Sequence, residues 1–232
     1  MRAEEIEEMR HLPLFAEVDP AHADALLRVS FLQRFPAAVE LAREGDPADF
    51  LHVVVDGHVE VYSAYRDRET TVSVLGPGQS FIVAAVILDR VYLKSARTLS
   101  SARVLLIPAA AVRRTFAVDA AFARALAQEL AYAYRGIVKE LKNQKLRSSL
   151  ERLANWLLAH DAETGANGRF SLPFEKKVLA SRLGMAPEVL SRSFASLVPY
   201  KVVVRGPVVE IRDLEALRTL AKPAATIDDP GI

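Results

Sequence analysis

Cysteine is absent from all 232 residues of this sequence. That removes disulfides, thiolate nucleophiles, cysteine-ligated zinc and the usual cysteine-held iron–sulphur clusters together. It also suits a reducing compartment. Glycine (10) and proline (12) are too scarce for a collagen-like or low-complexity chain. No apolar run approaches the roughly 18 residues that a membrane-spanning helix requires. The longest, Phe81 to Leu88, suits a buried strand or a short helix. The N-terminus, Met-Arg-Ala-Glu-Glu-Ile-Glu-Glu, is acidic where a signal peptide is basic and then apolar. The expectation is a soluble cytoplasmic protein with no membrane partner. The patterns HExxH, GxSxG and GxxxxGK[ST] and a Rossmann glycine run are all missing, and Gly76-Pro-Gly78 reads as a turn. Nothing points to an enzyme.

What is present is ordinary globular composition, 51% hydrophobic and 25% charged, enough for one large or two modest domains. The net charge of +1 hides an asymmetry. Residues 1–117 hold 13 Lys/Arg and 16 Asp/Glu, net −3; residues 133–222 hold 16 and 9, net +7. A basic second half suits nucleic acid, and equally a solvated surface with scattered cations.

Residues 4–30 read as helical, with Asp19-Pro20 as a helix start. From residue 31 the period shortens. Val39-Glu-Leu, Leu51-His-Val-Val-Val, His58-Val-Glu-Val-Tyr, Thr70 to Leu75 and Ala102 to Ile107 read as strands. Asp56-Gly57 between apolar runs signals a two-residue hairpin with positive φ at both turn positions. Residues 31–107 thus read as a small all-β sandwich or barrel. From Asp119 about 25 residues are helical, with Leu126, Leu130, Ala133, Ile137 and Leu141 spaced by fours and threes. That stripe is either a dimer seam or a face lying on its own domain. A second helix runs from about Ser148 to His160. Two more follow, about Glu175–Leu183 and Pro187–Leu197, then a hairpin through Arg205-Gly-Pro and a last helix from Leu214 to Leu220. Residues 223–232 read as a loose tail.

The segment Val178-Leu-Ala-Ser-Arg-Leu-Gly-Met-Ala-Pro-Glu-Val-Leu-Ser-Arg-Ser-Phe has helix-turn-helix spacing. Ala180 is small where two helices cross, Gly184 sits at the turn, and Leu183, Met185 and Leu190 fill the space between. The hairpin after it makes the unit winged. A generic helical hairpin shares this apolar spacing. The basic charge, the wing and the long helix favour DNA binding over a ligand-binding or protein-interaction module without DNA activity.

Over residues 10–220 the chain resembles the CRP/FNR family of bacterial transcription regulators. The matching motifs are Glu44-Gly45-Asp46, Val55-Asp56-Gly57-His58-Val59, Leu75-Gly76-Pro77-Gly78 and Phe81, continuing through the long helix and the winged helix-turn-helix. Within the family it is most similar to the nitrogen-oxide-responsive, DNR-like branch. The resemblance implies an α+β fold. Residues 1–117 are then a cyclic-nucleotide-binding-like β-roll, 118–146 a dimerisation helix, 147–222 a winged helix-turn-helix domain, and 223–232 a tail. It also implies a homodimer on double-stranded DNA, with half-sites about one helical turn apart, and RNA polymerase as a candidate partner. FNR-type members read DNA with E-x-x-S-R on the recognition helix, here Glu188, Ser191 and Arg192, which implies an operator like TTGAT-N4-ATCAA. Glu188 and Arg192 are also spaced as an ordinary exposed ion pair. Lys177, Lys201 and Arg205 are candidates for phosphate contact, or simply solvated charges. Where the cyclic-AMP-responsive members carry an arginine, Pro187 stands.

In the nucleotide-binding members a Gly-Glu pair and a later Arg-Ser pair hold the ribose and the cyclic phosphate. Here Val83 and Ala84 replace the first pair, and Lys94-Ser95 stands for the second. Lysine keeps the charge but loses the planar fork. Cyclic AMP is therefore not the expected effector. The remaining effector pocket, Phe81, Val83, Ala84, Ala85, Lys94 and Ser95 with Val86 and the long helix, is largely apolar. It holds haem, holds another apolar effector, or is packed core. Haem needs an axial ligand, and His11, His22, His52, His58, His160 and Met9 are available.

Overall fold

The computed structural model describes residues 1–229 and 231. The chain divides into two compact units, Met1–Ala133 and Tyr134–Ile232, with the boundary inside one long helix.

The first unit opens with two helices rather than one helical stretch, α1 (Ala3–Arg10) and α2 (Pro20–Val29). Pro13 has no N–H to continue α1, and a 3-10 turn over Pro13–Phe15 follows instead. Asp19 caps α2 as its sequence suggests, accepting from the N–H groups of Ala21 and His22 at 2.9 and 3.4 Å. Eight strands follow: β1 (Phe31–Phe35), β2 (Glu40–Ala42), β3 (Phe50–Asp56), β4 (Val59–Tyr65), β5 (Arg68–Leu75), β6 (Ser80–Phe81), β7 (Ser95–Thr98) and β8 (Ala102–Pro108). They form two antiparallel sheets, ordered β1-β8-β3-β6 and β2-β7-β4-β5.

Asp56-Gly57 is not a hairpin turn. It carries the chain from β3 in one sheet to β4 in the other. Only Gly57 has positive φ, +80°. A Cβ there would collide with the carbonyl oxygen of Ser101, so close approach demands glycine as much as torsion does. The tight hairpin is β4–β5, where Tyr65 pairs with Arg68 around Arg66 at φ +55°.

The apolar run from Phe81 splits into the end of β6 and a short helix, α3 (Val83–Leu88), across Ile82 at φ +66°. Helix α4 (Ala109–Val118) then leads into α5 (Ala120–Leu146). Helix α4 is alanine-rich, with a weak apolar pattern, and the periodicity did not announce it. Val53 and Val54 are neighbours on β3 yet both buried, because helices α3 and α4 cover one face of that sheet while the other faces the interior. Phe122 and Leu126 from the start of α5 belong to this same core. Leu126 is 0% exposed within the single chain. It is therefore a core residue of the β-roll and not part of a dimer seam. The domain covers it, as the second reading of the stripe allowed.

The second unit contains the end of α5 and α6 (Ser149–Thr164), β9 (Arg169–Ser171), α7 (Lys176–Arg182), α8 (Pro187–Ser196), β10 (Val202–Arg205), β11 (Val208–Ile211), α9 (Leu214–Ala221) and α10 (Ala225–Asp228). Ser148 and Glu151 close a capping box on α6, with reciprocal bonds of 3.3 and 2.9 Å. Gly165 ends it in the left-handed region at φ +60°. Phe170, which reads as a strand or an extended lead, lies in β9, the third strand of the wing sheet β10-β11-β9. The core joins Leu153 and Leu157 of α6 to Leu179, Leu190, Leu197, Val202, Val209 and Leu217. The tail is not loose through Asp228: α10 forms and is tied to α5 by side-chain bonds. Among the described residues, no helix is long and apolar enough to cross a membrane.

Candidate nucleic-acid interface and sensor site

Helix α8 starts where the sequence breaks α7. Gly184 adopts φ +61°, its N–H bonds to the carbonyl of Ser181 at 2.9 Å, and Met185 N–H bonds to that of Ala180 at 3.0 Å. Pro187 takes the first helical position. Leu190, Ser193, Phe194 and, just beyond it, Leu197 turn inward and bury. The opposite face leaves Glu188, Ser191 and Arg192 exposed together. Ser191 Oγ donates to the carbonyl of Pro187 at 3.1 Å. Among the described residues, Glu188 and Arg192 form no ion pair with each other or with any neighbour. The bland alternative of an exposed Glu–Arg pair is therefore not what the helix presents.

Lys177 is exposed on α7, Lys201 is exposed at the entry to β10, and Arg205 stands at the wing tip beside Gly206 (φ +61°). The periodicity missed Lys176, whose ammonium lies 5.6 Å from the Phe194 ring centroid at the edge of the same surface. It also missed Arg152. That side chain is buried on α6, and its guanidinium donates to the carbonyls of Leu183 at 2.8 Å and Arg147 at 2.7 Å. Burial pushes its pKa down, and the carbonyls compensate in part for the lost water. Arg152 thereby fixes the helix-turn-helix bend against the end of α5. An arginine flanked by apolar helix positions was the only signal.

In the β-roll, Phe81 is buried and stacks on His52, with centroids 4.8 Å apart and 22° between planes. His52 is 2% exposed, and its Nδ1 has no hydrogen-bond partner. Burial pushes the imidazole down to about 4, so it is neutral near pH 7. Val83 and Val86 are buried in the same core, whereas Ala84 is exposed and Ala85 half-buried. Ser95 is buried, and its Oγ already accepts from the N–H of Glu44 at 2.9 Å. Lys94 is half-buried; burial lowers its pKa, and among the described residues no carboxylate lies within 4.0 Å of it. The expected pocket residues thus divide between buried positions (Phe81, Val83, Val86 and Ser95) and partly or fully exposed ones (Ala84, Ala85 and Lys94). A surface cleft of about 490 Å³ lies elsewhere, between Asp49, Asp89, Val91, Pro108 and Arg113. Of the other candidate ligands, Met9 is fully buried in the core, His22 bonds Asp119 at 2.8 Å, and His160 stacks on Trp156 in the second unit.

An antiparallel roll, a long helix and a winged helix-turn-helix, in that order, form the frame of a DNA-binding transcription regulator. The family model described as "Cyclic nucleotide-binding domain" matches residues 32–119, and that described as "Crp-like helix-turn-helix domain" matches residues 151–220. The chain belongs to the CRP/FNR family of transcription regulators. Among solved structures, a regulatory protein from Silicibacter pomeroyi DSS-3, provisionally named as cAMP-binding, is 27% identical. The match covers 94% of this chain and 100% of that one, with a TM-score of 0.61. FixK2 from Bradyrhizobium japonicum is 22% identical over 85% of this chain and 100% of its own, with a TM-score of 0.74. A CRP-family transcriptional regulator from Thermus thermophilus is 22% identical over 83% of this chain and 97% of its own, with a TM-score of 0.68. The last two show the shared fold. No curated protein matches this sequence.

Proposed function

We propose that this regulator binds DNA as a homodimer and reads an inverted repeat of the TTGAT-N4-ATCAA type through α8. The observation that carries the reading is the exposed trio Glu188, Ser191 and Arg192, its two charged members without an ion pair among the described residues, on one face of a helix whose other face is locked into the core. Arginine grips a guanine edge with two bonds, and glutamate accepts from cytosine N4. Lys177, Lys201 and Arg205 hold phosphates and carry no sequence information. Residues 131–138 of α5 are exposed all round the helix, and Tyr134, Ile137 and Leu141 are 69%, 57% and 55% exposed. Apolar side chains left in water along a helix seam suit a second copy of that helix. Leu130, partly buried against the β-roll, stands at the near end of the seam.

The sensor reading is that cyclic AMP is not the effector. Ala84 offers no carboxylate for a ribose, and Ser95 is already engaged. The provisional name of the Silicibacter pomeroyi protein makes cyclic AMP the first ligand to test. Haem fits poorly. His52 and Met9 are buried without an open axial face, and Phe81 covers the imidazole. Packed core is the reading that burial of Phe81, Val83 and Val86 supports.

The test is an affinity titration on a duplex carrying the repeat. Arg192→Ala removes a contact worth roughly 1–3 kcal/mol per half-site, so affinity falls about tenfold or more and preference at the guanine relaxes. Lys177→Ala weakens all sequences alike and flattens the salt slope by about one unit. Unchanged base preference in Arg192→Ala rejects α8 as the reader.

A further inference from the structure

The helix-turn-helix family model stops at residue 220, yet the segment beyond it is built into the domain. Arg147 donates to both carboxylate oxygens of Asp228, at 2.7 and 2.5 Å, and its side chain is only 7% exposed. Asp228 also accepts from the N–H of Ala224 at 2.6 Å, which closes the turn of α10. Lys142 donates to Thr226 Oγ1 at 2.7 Å, and Lys139 to the carbonyl of Asp229 at 2.5 Å. Three cations at the C-terminal end of α5 and its exit thus hold three residues of the tail, Thr226, Asp228 and Asp229. At about 100° per residue, Lys139 lies on the side of α5 away from Tyr134, Ile137 and Leu141, and Lys142 on the flank between. The tail therefore leaves the candidate dimer seam open.

The position of Arg147 gives these bonds a consequence. Helix α5 ends at Leu146 and α6 begins at Ser149, so Arg147 and Ser148 are the whole covalent joint between the long helix and the DNA-binding domain. The carbonyl of Arg147 accepts from Arg152, whose other bonds reach the carbonyls of Leu183 and Gly184 at the helix-turn-helix bend. The side chain of the same residue is held by the tail. A solvent-exposed ion pair would contribute little. A bidentate guanidinium–carboxylate pair, nearly buried and tied to two further lysine bonds, is a different case.

We propose that residues 224–229 are a clamp on this joint, fixing the DNA-binding domain on the end of α5 so that α8 is presented in one orientation. The mechanical part rests on the contacts alone. The consequence for operator affinity rests on the DNA-binding reading above.

The experiment is hydrogen exchange by mass spectrometry on the full chain over residues 143–150, with wild type, Asp228→Ala, Asp228→Asn, a chain ending at Lys222, and the charge swap Arg147→Asp with Asp228→Arg. Exchange rises about tenfold in Asp228→Ala and in the truncated chain, the size expected for a charge-assisted bond, and less in Asp228→Asn. The swap recovers at least half of the protection. Trp156 fluorescence stays unchanged in Asp228→Asn, which separates opening of the joint from unfolding. The truncated chain also binds the TTGAT-N4-ATCAA duplex several-fold more weakly. If wild type ignores that duplex, the operator reading fails while the exchange result still decides the clamp. Equal protection in wild type, Asp228→Ala and the truncated chain overturns it.

Discussion

Leu126 and Ile137 share one sequence stripe, and the structure assigns them opposite fates. Leu126 is fully buried in the β-roll core beside Phe122, whereas Ile137 is 57% exposed. Leu126→Ala leaves a cavity in a closed core and should cost about 3–5 kcal/mol. At about 2–4 °C per kcal/mol for a chain of this size, that lowers the melting temperature by roughly 10 °C. Ile137 belongs to neither core, so Ile137→Glu removes little packing within the chain and its intrinsic cost stays within about 0.5 kcal/mol. It should instead convert the proposed homodimer to monomer. Losing the partner lowers apparent stability by mass action, so the two effects must be separated. Leu126→Ala is therefore measured both in the wild-type background and in the monomeric Ile137→Glu background, by urea unfolding and sedimentation. The loss should match in the two backgrounds, and Leu126→Ala should sediment as a dimer. Dissociation of Leu126→Ala with unchanged stability, or a dimeric Ile137→Glu, refutes the division of the stripe.

The other predictions are more compact. The folded pKa of His52 is depressed to about 4 from an ordinary 6.5, so the unfolded chain takes up the proton first. Stability is full above about pH 6.5 and falls as pH drops towards 4. His52→Phe should flatten the urea midpoint across that window, and an equal slope in the variant excludes His52 as the cause. Gly184→Ala places a Cβ against the side-chain amide of Gln144 at φ +61°, so it should cost at least about 1 kcal/mol of second-unit stability. Adding Gln144→Ala should restore part of this and leave the torsional remainder; no recovery rejects the clash. Cyclic AMP should give no heat of binding in the micromolar range by calorimetry, and a clear micromolar affinity rejects the argument from Ala84 and Lys94.

Much of this was legible in the sequence, for reasons that differ by element. The helix-turn-helix was readable because Gly184 and Pro187 punctuate it and the apolar Leu183 and Leu190 stand on either side of the break. The strands were readable because valine-rich runs alternate with turn residues. Sheet membership was not. Asp56-Gly57 carries the local chemistry of a hairpin, and the chemistry cannot say which sheet the next strand joins. Leu126 and Ile137 look alike because a heptad stripe records only that a face is covered, not by what. The tail looked loose because its few polar residues find partners 80 to 90 positions earlier in the chain. In the sensor, the missing glutamate and arginine were visible as letters. The partnerless Nδ1 of His52 beneath Phe81 was not, since only three-dimensional packing buries it.

The most direct test of the central claim is a binding-site selection from a random duplex library with the wild-type chain. The account predicts an enriched inverted repeat whose half-sites lie about one helical turn apart and carry the TTGAT-type guanine, with Arg192→Ala losing preference at that base alone. Enrichment of an unrelated sequence, or of no sequence above background, contradicts the assignment of Glu188, Ser191 and Arg192 as its readers.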